Sequence, residues 1–288
     1  MNDDQDQISN GELAALLRHV RTLAKDAGAL VMRFYKAAHA PGIEIKADGS
    51  PVTQADRESS ALIETRLSQI APGIAVVSEE NHTEAPARGI YWSVDPLDGT
   101  REFIARTDGF AVKIALMDHG VPALGVVYAP ALYSLYCGLR DGLATRQTGV
   151  NAPIHLSVRE NSKWDLRVLF NATHADLKLY ETQRARFLGH GITFPKKPFI
   201  HPSLPRNLVV AEGLSDFHMA TGTDPTLQHG GGYIWDNAAD WLILRNAGGE
   251  MRCLTDGAPL TFGDPRERMP SYIAIGDKKL GKKLFPEP

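Results

Sequence analysis

Two aspartates, in Asp95-Pro96-Leu97-Asp98-Gly99-Thr100, follow directly on the apolar run Ile90-Tyr91-Trp92-Ser93-Val94. A run of this kind reads as a strand, so both carboxylates stand at its carboxyl end. An earlier run, Ile74-Ala75-Val76-Val77, closes on Ser78-Glu79-Glu80, and far downstream Ile234-Trp235-Asp236 supplies another acid. Three separate segments can therefore converge on one cation site. Hard cations such as Mg2+ take oxygen ligands, keep several waters, and are held by a few carboxylates together with substrate phosphate. A two-metal centre needs one carboxylate that bridges, and Asp95 is the natural bridge. Pro96 fixes φ and removes an N–H, which reads as a turn that brings Asp98 round to the same cavity. Gly99 lets the backbone approach a phosphate closely. Thr100 opens Thr100-Arg101-Glu102-Phe103-Ile104 as a helix start whose free N–H groups would point at an anion.

The plainer reading is that these are turns. Asp-Gly pairs also occur at Asp48-Gly49, Asp108-Gly109, Asp141-Gly142 and Asp256-Gly257, and such pairs form turns readily. Glu79-Glu80 would equally pass as a solvated loop. The combination of an acid pair, a second acidic turn and a late Trp-Asp at a helix start favours the cation site.

The elements that must position these groups follow from periodicity. Ser9-Asn10-Gly11-Glu12 reads as a capping box for a long helix carrying Leu13, Leu16, Leu17, Val20, Leu23, Ala27, Val31 and Phe34, stopped near Pro41-Gly42. Ile43 and Ile45 alternate as a short strand, and Thr53 caps a second helix with Leu62, Ile63, Leu67 and Ile70, ended by Pro72-Gly73. Strands are expected over 74–77, 90–94, 110–116, 121–128 and 132–137, with Asp118-His119-Gly120 as a turn joining two of them. From residue 166 the rhythm becomes strand, helix, strand, helix: a strand over 166–170, a helix near 176–188, a Pro-rich connector over 195–205 and a helix over 208–211. A loop over 222–232 precedes a helix that begins at Trp235 and is ended by Gly248-Gly249.

Bulk properties set limits. At 288 residues the chain suits about two compact units or one large one. With 31 basic and 34 acidic side chains, its net charge of -3 gives no global field for a nucleic-acid polymer or a membrane. Two cysteines, Cys137 and Cys253, exclude a disulfide scaffold and a Cys-based zinc site. The polar start Met1-Asn2-Asp3-Asp4 lacks the basic and apolar regions of a signal peptide, so the expected address is cytoplasmic.

Asp95 to Thr100, Glu79-Glu80 and Trp235-Asp236-Asn237-Ala238-Ala239 resemble the three signature segments of the inositol monophosphatase superfamily, a group of Mg2+-dependent phosphomonoesterases. Within it the chain looks most similar to the 3'(2'),5'-bisphosphate nucleotidases, on Lys46-Ala47-Asp48-Gly49-Ser50-Pro51-Val52-Thr53, on Asp98-Gly99-Thr100-Arg101-Glu102-Phe103-Ile104 and on the strand pair over 110–130. The resemblance implies an α/β fold of five layers, the α-β-α-β-α sandwich of the inositol monophosphatase and fructose-1,6-bisphosphatase type. Residues 1–160 would form an α+β metal-binding half, and 161–288 an α/β half contributing Asp236 and the substrate pocket. It implies two or three Mg2+ ions: one on Glu79, Asp95 and the Leu97 carbonyl, another on Asp95, Asp98 and Asp236. Water is then the nucleophile, oriented by Thr100, with the N–H groups of Gly99 and Thr100 on the phosphate. Asp48 or Glu80 would take the proton, Asp48 being favoured because its segment carries the nucleotidase likeness. Asp56 is either a helix-dipole acid or a partner of an outer metal water. His174 falls where those nucleotidases carry a Ser-His pair near the ligand. His119, in its turn, reads as solvated, and Trp92 and Trp241 read as core.

The departures concern the leaving group. Those nucleotidases carry Gly-Ser-Ser-Leu-Lys where this chain has His201-Pro202-Ser203-Leu204-Pro205-Arg206, so the lysine is missing and Arg206 is the candidate anion clamp. The expected substrate is a small phosphate ester, first adenosine 3',5'-bisphosphate, with an inositol, polyol or sugar phosphate as the alternative, and a homodimer is the candidate assembly. A haloacid-dehalogenase-type phosphatase would separate its two acids by one residue, whereas two intervene here. A non-enzymatic ligand-binding relative is disfavoured by the complete carboxylate set.

Overall fold

The computed structural model describes residues 7–37, 42–46, 51–81, 89–160, 166–167, 169–170, 188, 199–200, 207–221 and 228–286. Helix α1 (Asn10–Lys36) starts at Ser9, whose side chain accepts from the Glu12 N–H while Glu12 reaches back to the cap, the capping box expected from these residues. The short strands β1 (Glu44–Ile45) and β2 (Pro51–Val52) pair antiparallel. Thr53 then caps α2 (Gln54–Ile70), with Asp56 closing the box.

A seven-stranded sheet follows in the order β3-β4-β5-β6-β7-β8-β9. Its strands are β3 (Ala75–Ser78), β4 (Ile90–Asp98), β5 (Ala111–Asp118), β6 (Val121–Ala129), β7 (Ser134–Leu139), β8 (Thr145–Thr148) and β9 (Ile154–His155). The last two were not expected from the sequence: they are short, and β8 reads Thr-Arg-Gln-Thr with no apolar residue. Only β3 and β4 run parallel; every other neighbour pair is antiparallel.

Strand alternation sorts the sheet into two faces. Trp92, Val94, Val112, Ile114, Leu116 and Val126 pack with Leu13, Val20, Leu23, Ala27 and Val31 of α1 and with Ile63 and Leu67 of α2. Tyr91, Ala111, Ala115, Val127 and Tyr136 pack on the other side against Ala238, Ala239 and Ile243 of α5 (Ile234–Asn246), with Leu208 to Ala211 of α4 (Leu208–Ala211) beside them. Each such Leu or Ile taken fully out of water contributes about 1.5–3 kcal/mol. Beyond α4 and α5 lies a three-stranded antiparallel sheet of β12 (Phe217–Ala220), β14 (Tyr272–Ile275) and β13 (Glu250–Cys253), in that order. Phe217, Met219, Ile273 and Ile275 of this sheet pack against Leu280 and Leu284 of α6 (Lys278–Leu284). The succession is helix, sheet, helix, sheet, helix, the five-layered sandwich expected. A separate pair, β10 (Leu169–Phe170) and β11 (Phe199–Ile200), is parallel; the helix expected over 176–188 lies outside the described residues apart from Leu188.

One local expectation is corrected. Asp95-Pro96-Leu97-Asp98 does not form a turn: β4 continues through Asp98. Asp95 pairs with Lys113 and Asp98 with Ala111, so three steps on β4 meet two on β5, which is a β-bulge. Pro96, lacking an N–H, is tolerated at such a break in the ladder. Trp92 is fully buried as expected, whereas Trp241 is only partly so, standing edge-on to Phe262 at 5.6 Å between centroids. His119 has a side chain 43% exposed, with its Nδ1 2.7 Å from the buried Asp118 carboxylate.

Candidate metal centre

Parallel pairing of β3 with β4 places their carboxyl ends side by side. Ser78 is in register with Val94, and the Glu79 N–H donates to the Val94 carbonyl at 3.1 Å, which sets Glu79 next to Asp95. The bulge does the rest on β4. In a regular strand, residues three apart point to opposite faces, but the extra residue returns Asp98 to the side of Asp95, the side that α5 covers. Leu97 points the other way, into the core under α1 and α2.

Asp236 arrives from the first turn of α5. Its Oδ2 accepts from the Tyr233 N–H at 2.6 Å, holding the carboxylate at the helix start. Gly232 makes room for it: at φ +76°, a Cβ there would stand 2.4 Å from Asp236 Oδ2. Glu79, Asp95 and Asp236 each present an oxygen, all within 4.8 Å of one another. Asp95 is buried; its Oδ1 accepts from the Leu97 N–H at 3.0 Å, and its Oδ2 has no hydrogen-bond donor among the described residues.

So many acids in one place repel. Burial, and then the charges of Glu79, Asp98 and Asp236, hold Asp95 well above the ordinary carboxylate range. Burial and Asp236 push Glu79 up to about 7, and burial followed by Asp98 raises Asp236. An orphaned buried carboxylate oxygen, an all-oxygen donor set and mutual repulsion that positive charge would relieve are together what a hard divalent cation fits.

Two lysines already face the cluster. Lys46 Nζ lies 2.8 Å from Glu79 Oε1 and 2.6 Å from Glu80 Oε1. Burial works against the charge of Lys46, but the two glutamates outweigh it and raise its pKa. Lys113, in register with Asp95 across the strands, places Nζ 2.8 Å from Asp98 Oδ2, 3.1 Å from Asp240 Oδ2 and 2.7 Å from the Asp236 carbonyl oxygen. Asp98 is thus engaged by Lys113 and stands outside the group of three. Reading the sequence missed Lys113 and Asp240. Asp240 follows Asp236 at the helical i+4 spacing, a signal that was legible; Lys113 sits inside an apolar strand, where only its alternation with Val112 and Ile114 marks it as facing the other way.

Gly99 adopts φ +88°, and a Cβ there would stand 2.7 Å from the Gly109 carbonyl oxygen. It leads into α3 (Thr100–Ala105). Thr100 Oγ1 lies 3.0 Å from Asp56 Oδ1 and 3.2 Å from the Leu97 carbonyl, so its proton is shared between those acceptors. Asp56 Oδ2 in turn accepts from the Thr53 N–H at 2.7 Å and the Thr53 hydroxyl at 2.5 Å. Asp56 is therefore the capping acid of α2 and also the partner of Thr100; burial raises its pKa. Glu212, directly after α4, accepts from the Tyr136 hydroxyl at 2.5 Å and pairs with Arg146. Asp48, His174 and Arg206 lie outside the described residues.

Known proteins are similar to this chain in sequence and in fold. The family model described as "Inositol monophosphatase family" matches residues 12–285. The 3'(2'),5'-bisphosphate nucleotidase CysQ of Escherichia coli strain K12 is 36% identical over 255 residues, covering 88% of this chain and 95% of that protein. The protein of the same name from Haemophilus influenzae is 30% identical over 277 residues, 92% of this chain and 94% of that one. Among solved structures, the extragenic suppressor protein suhB of Bartonella henselae superposes with a TM-score of 0.70 at 25% identity, over 95% of this chain and all of that chain. CysQ of Bacteroides thetaiotaomicron gives a TM-score of 0.70 at 24% identity, over 91% of this chain and 97% of that chain, and speaks for the fold. With sequence, layer order and acid cluster in agreement, this chain belongs to the inositol monophosphatase family.

Proposed function

We propose that this chain is a metal-dependent phosphomonoesterase whose preferred substrate is a 3'(2'),5'-bisphosphate nucleotide, with adenosine 3',5'-bisphosphate giving AMP and phosphate. The observation that carries the reading is the meeting of Glu79, Asp95 and Asp236, from two strand ends and one helix start, within 4.8 Å. The relatives named as nucleotidases support the substrate class.

Glu79, Asp95, Asp236, Asp98 and the Leu97 carbonyl would hold the cations, and Mg2+ suits their oxygen atoms. When bound, the metal supplies positive charge that activates water and steadies the departing oxygen. The chain's own groups do the remaining work. The backbone N–H groups of Gly99 and Thr100 face the phosphate, and the Thr100 hydroxyl, held by Asp56, orients the attacking water. Asp48 or Glu80 takes one proton of the water as the new P–O bond forms and the P–O bond to the ester oxygen breaks, and the departing oxygen takes a proton from solvent to leave as an alcohol. Glu80 is kept beside Glu79 by Lys46. Arg206 and His174 are the candidates for contacts to the leaving group.

Phosphate release from adenosine 3',5'-bisphosphate, inositol 1-phosphate, fructose 1,6-bisphosphate and histidinol phosphate, each with and without Mg2+, tests this. Release that requires Mg2+ and is fastest on the nucleotide is the expected result. Faster release from inositol 1-phosphate would move the chain to the polyol phosphatases. No release from any of them with Mg2+ present would remove the phosphatase reading.

A further inference from the structure

The cluster of acids contains a positive charge that belongs to the protein. Lys113 leaves β5 on the side covered by α5, because Val112 and Ile114 on either side of it belong to the opposite core. Its side chain is 4% exposed, and its ammonium group has three N–H bonds and three acceptors: Asp98 Oδ2 at 2.8 Å, Asp240 Oδ2 at 3.1 Å and the Asp236 carbonyl at 2.7 Å. No donor remains for water or phosphate. Asp240 is itself fixed, since Asn207 Nδ2 donates to its Oδ2 at 3.1 Å and to the Tyr272 hydroxyl at 2.8 Å. That network links α5 to β14 and leaves the ammonium little freedom to withdraw.

Resting on the phosphatase reading above, we infer that the Lys113 ammonium is a tethered cation at the Asp98 corner of the site, so that the free protein takes up one tight divalent ion, on Glu79, Asp95 and Asp236. A second ion placed on Asp98 would have to approach a fixed positive charge bonded to the same carboxylate and would have to displace it from Asp98. Like charges a few ångströms apart repel, and the repulsion is stronger inside a protein than in water, so the second ion binds more weakly than the first. Lys113 is thus a positioning residue that sets how many metal ions the cluster holds before substrate arrives.

The test is metal stoichiometry on the full-length, metal-free protein without substrate. Equilibrium dialysis with Mn2+ as the probe, and calorimetric titration with Mg2+, are read for the parent chain and for Lys113→Gln. One tight ion in the parent and two in the variant, the second bound about tenfold or more tighter than in the parent, is the expected result. Two equally tight ions in the parent, or identical titrations for both proteins, overturn the inference. Because Lys113→Gln leaves Asp240 buried without its counter-charge, the double variant Lys113→Gln/Asp240→Asn is measured beside it, and it too takes up a second tight ion. Should neither variant fold, the parent titration decides alone: one tight ion supports the inference and two overturn it. Binding of no divalent ion at all would instead sink the phosphatase reading, and this inference with it. Two tight ions in an active phosphatase would sink this inference only.

Discussion

Glu79 and Asp95 stand side by side because the strands that carry them run parallel and in register, with Ser78 opposite Val94 and the Glu79 N–H bonded to the Val94 carbonyl. Every other strand pair in that sheet is antiparallel, and an antiparallel β3 would have sent Glu79 to the far edge. From this arrangement and the groups around it come four expectations.

Asp95→Asn and Asp98→Asn each lower phosphate release at least a hundredfold, roughly the loss seen when a preorganised electrostatic group is removed. Asp95→Asn has a second consequence. It deletes a buried acid that Glu79, Asp98 and Asp236 repel, so the chelator-treated variant melts a few degrees above the parent while its activity is lost. Thermal scans in chelator and a phosphate assay in Mg2+ read the two effects; full activity in Asp98→Asn would remove that residue from the site.

Stability depends on pH with a definite sign. Glu79 rises from 4.5 to about 7 in the folded chain, so between those values the folded state binds more protons than the unfolded one. Its contribution is fully present below about 4.5 and is lost as pH rises through about 7. The melting temperature of the metal-free protein therefore falls between about pH 5.5 and about pH 8, and Mg2+ raises it more at the higher pH. An equal Mg2+ shift at both pH values would show that Glu79 gives up no proton on metal binding.

Thr100→Val removes the hydroxyl shared by Asp56 and the Leu97 carbonyl. The turnover number falls by about a hundredfold or more, while Thr100→Ser, which keeps the hydroxyl, retains most of it. A Thr100→Ser variant as inactive as Thr100→Val would point to the lost methyl group and packing, not to the hydroxyl.

Gly99→Ala places a Cβ at φ +88° and 2.7 Å from the Gly109 carbonyl. Both effects oppose folding, and the urea midpoint drops by an amount equivalent to about 1–3 kcal/mol. An unchanged midpoint would mean that the Gly109 backbone shifts aside at no cost.

Much of this was legible in the residues. The capping box at Ser9, the cap at Thr53, the helical spacing of Leu13, Val20, Leu23 and Val31, and the apolar runs over 90–94 and 110–116 are local, and local hydrogen bonding and burial decide them. The acids Glu79, Asp95, Asp98 and Asp236 could be named because strand ends and helix starts leave backbone groups and side chains free for ligands. The bulge at Pro96-Leu97 was read as a turn, since Pro and Asp-Gly suit both and only pairing with β5 tells them apart.

What the chain determined by itself was thus the inventory: which segments fold as helix or strand, and which carry acids at their ends. Which acids meet, and with what partners, was decided in three dimensions. The parallel register sets Glu79 beside Asp95, the bulge turns Asp98 toward α5, and the packing of α5 on the sheet brings Asp236 and Asp240 over Lys113. The reason is range. A hydrogen bond or an apolar stripe within a few residues leaves its mark on neighbouring letters, whereas Lys113 and Asp240, 127 positions apart, become neighbours only when burying both faces of the sheet selects one packing.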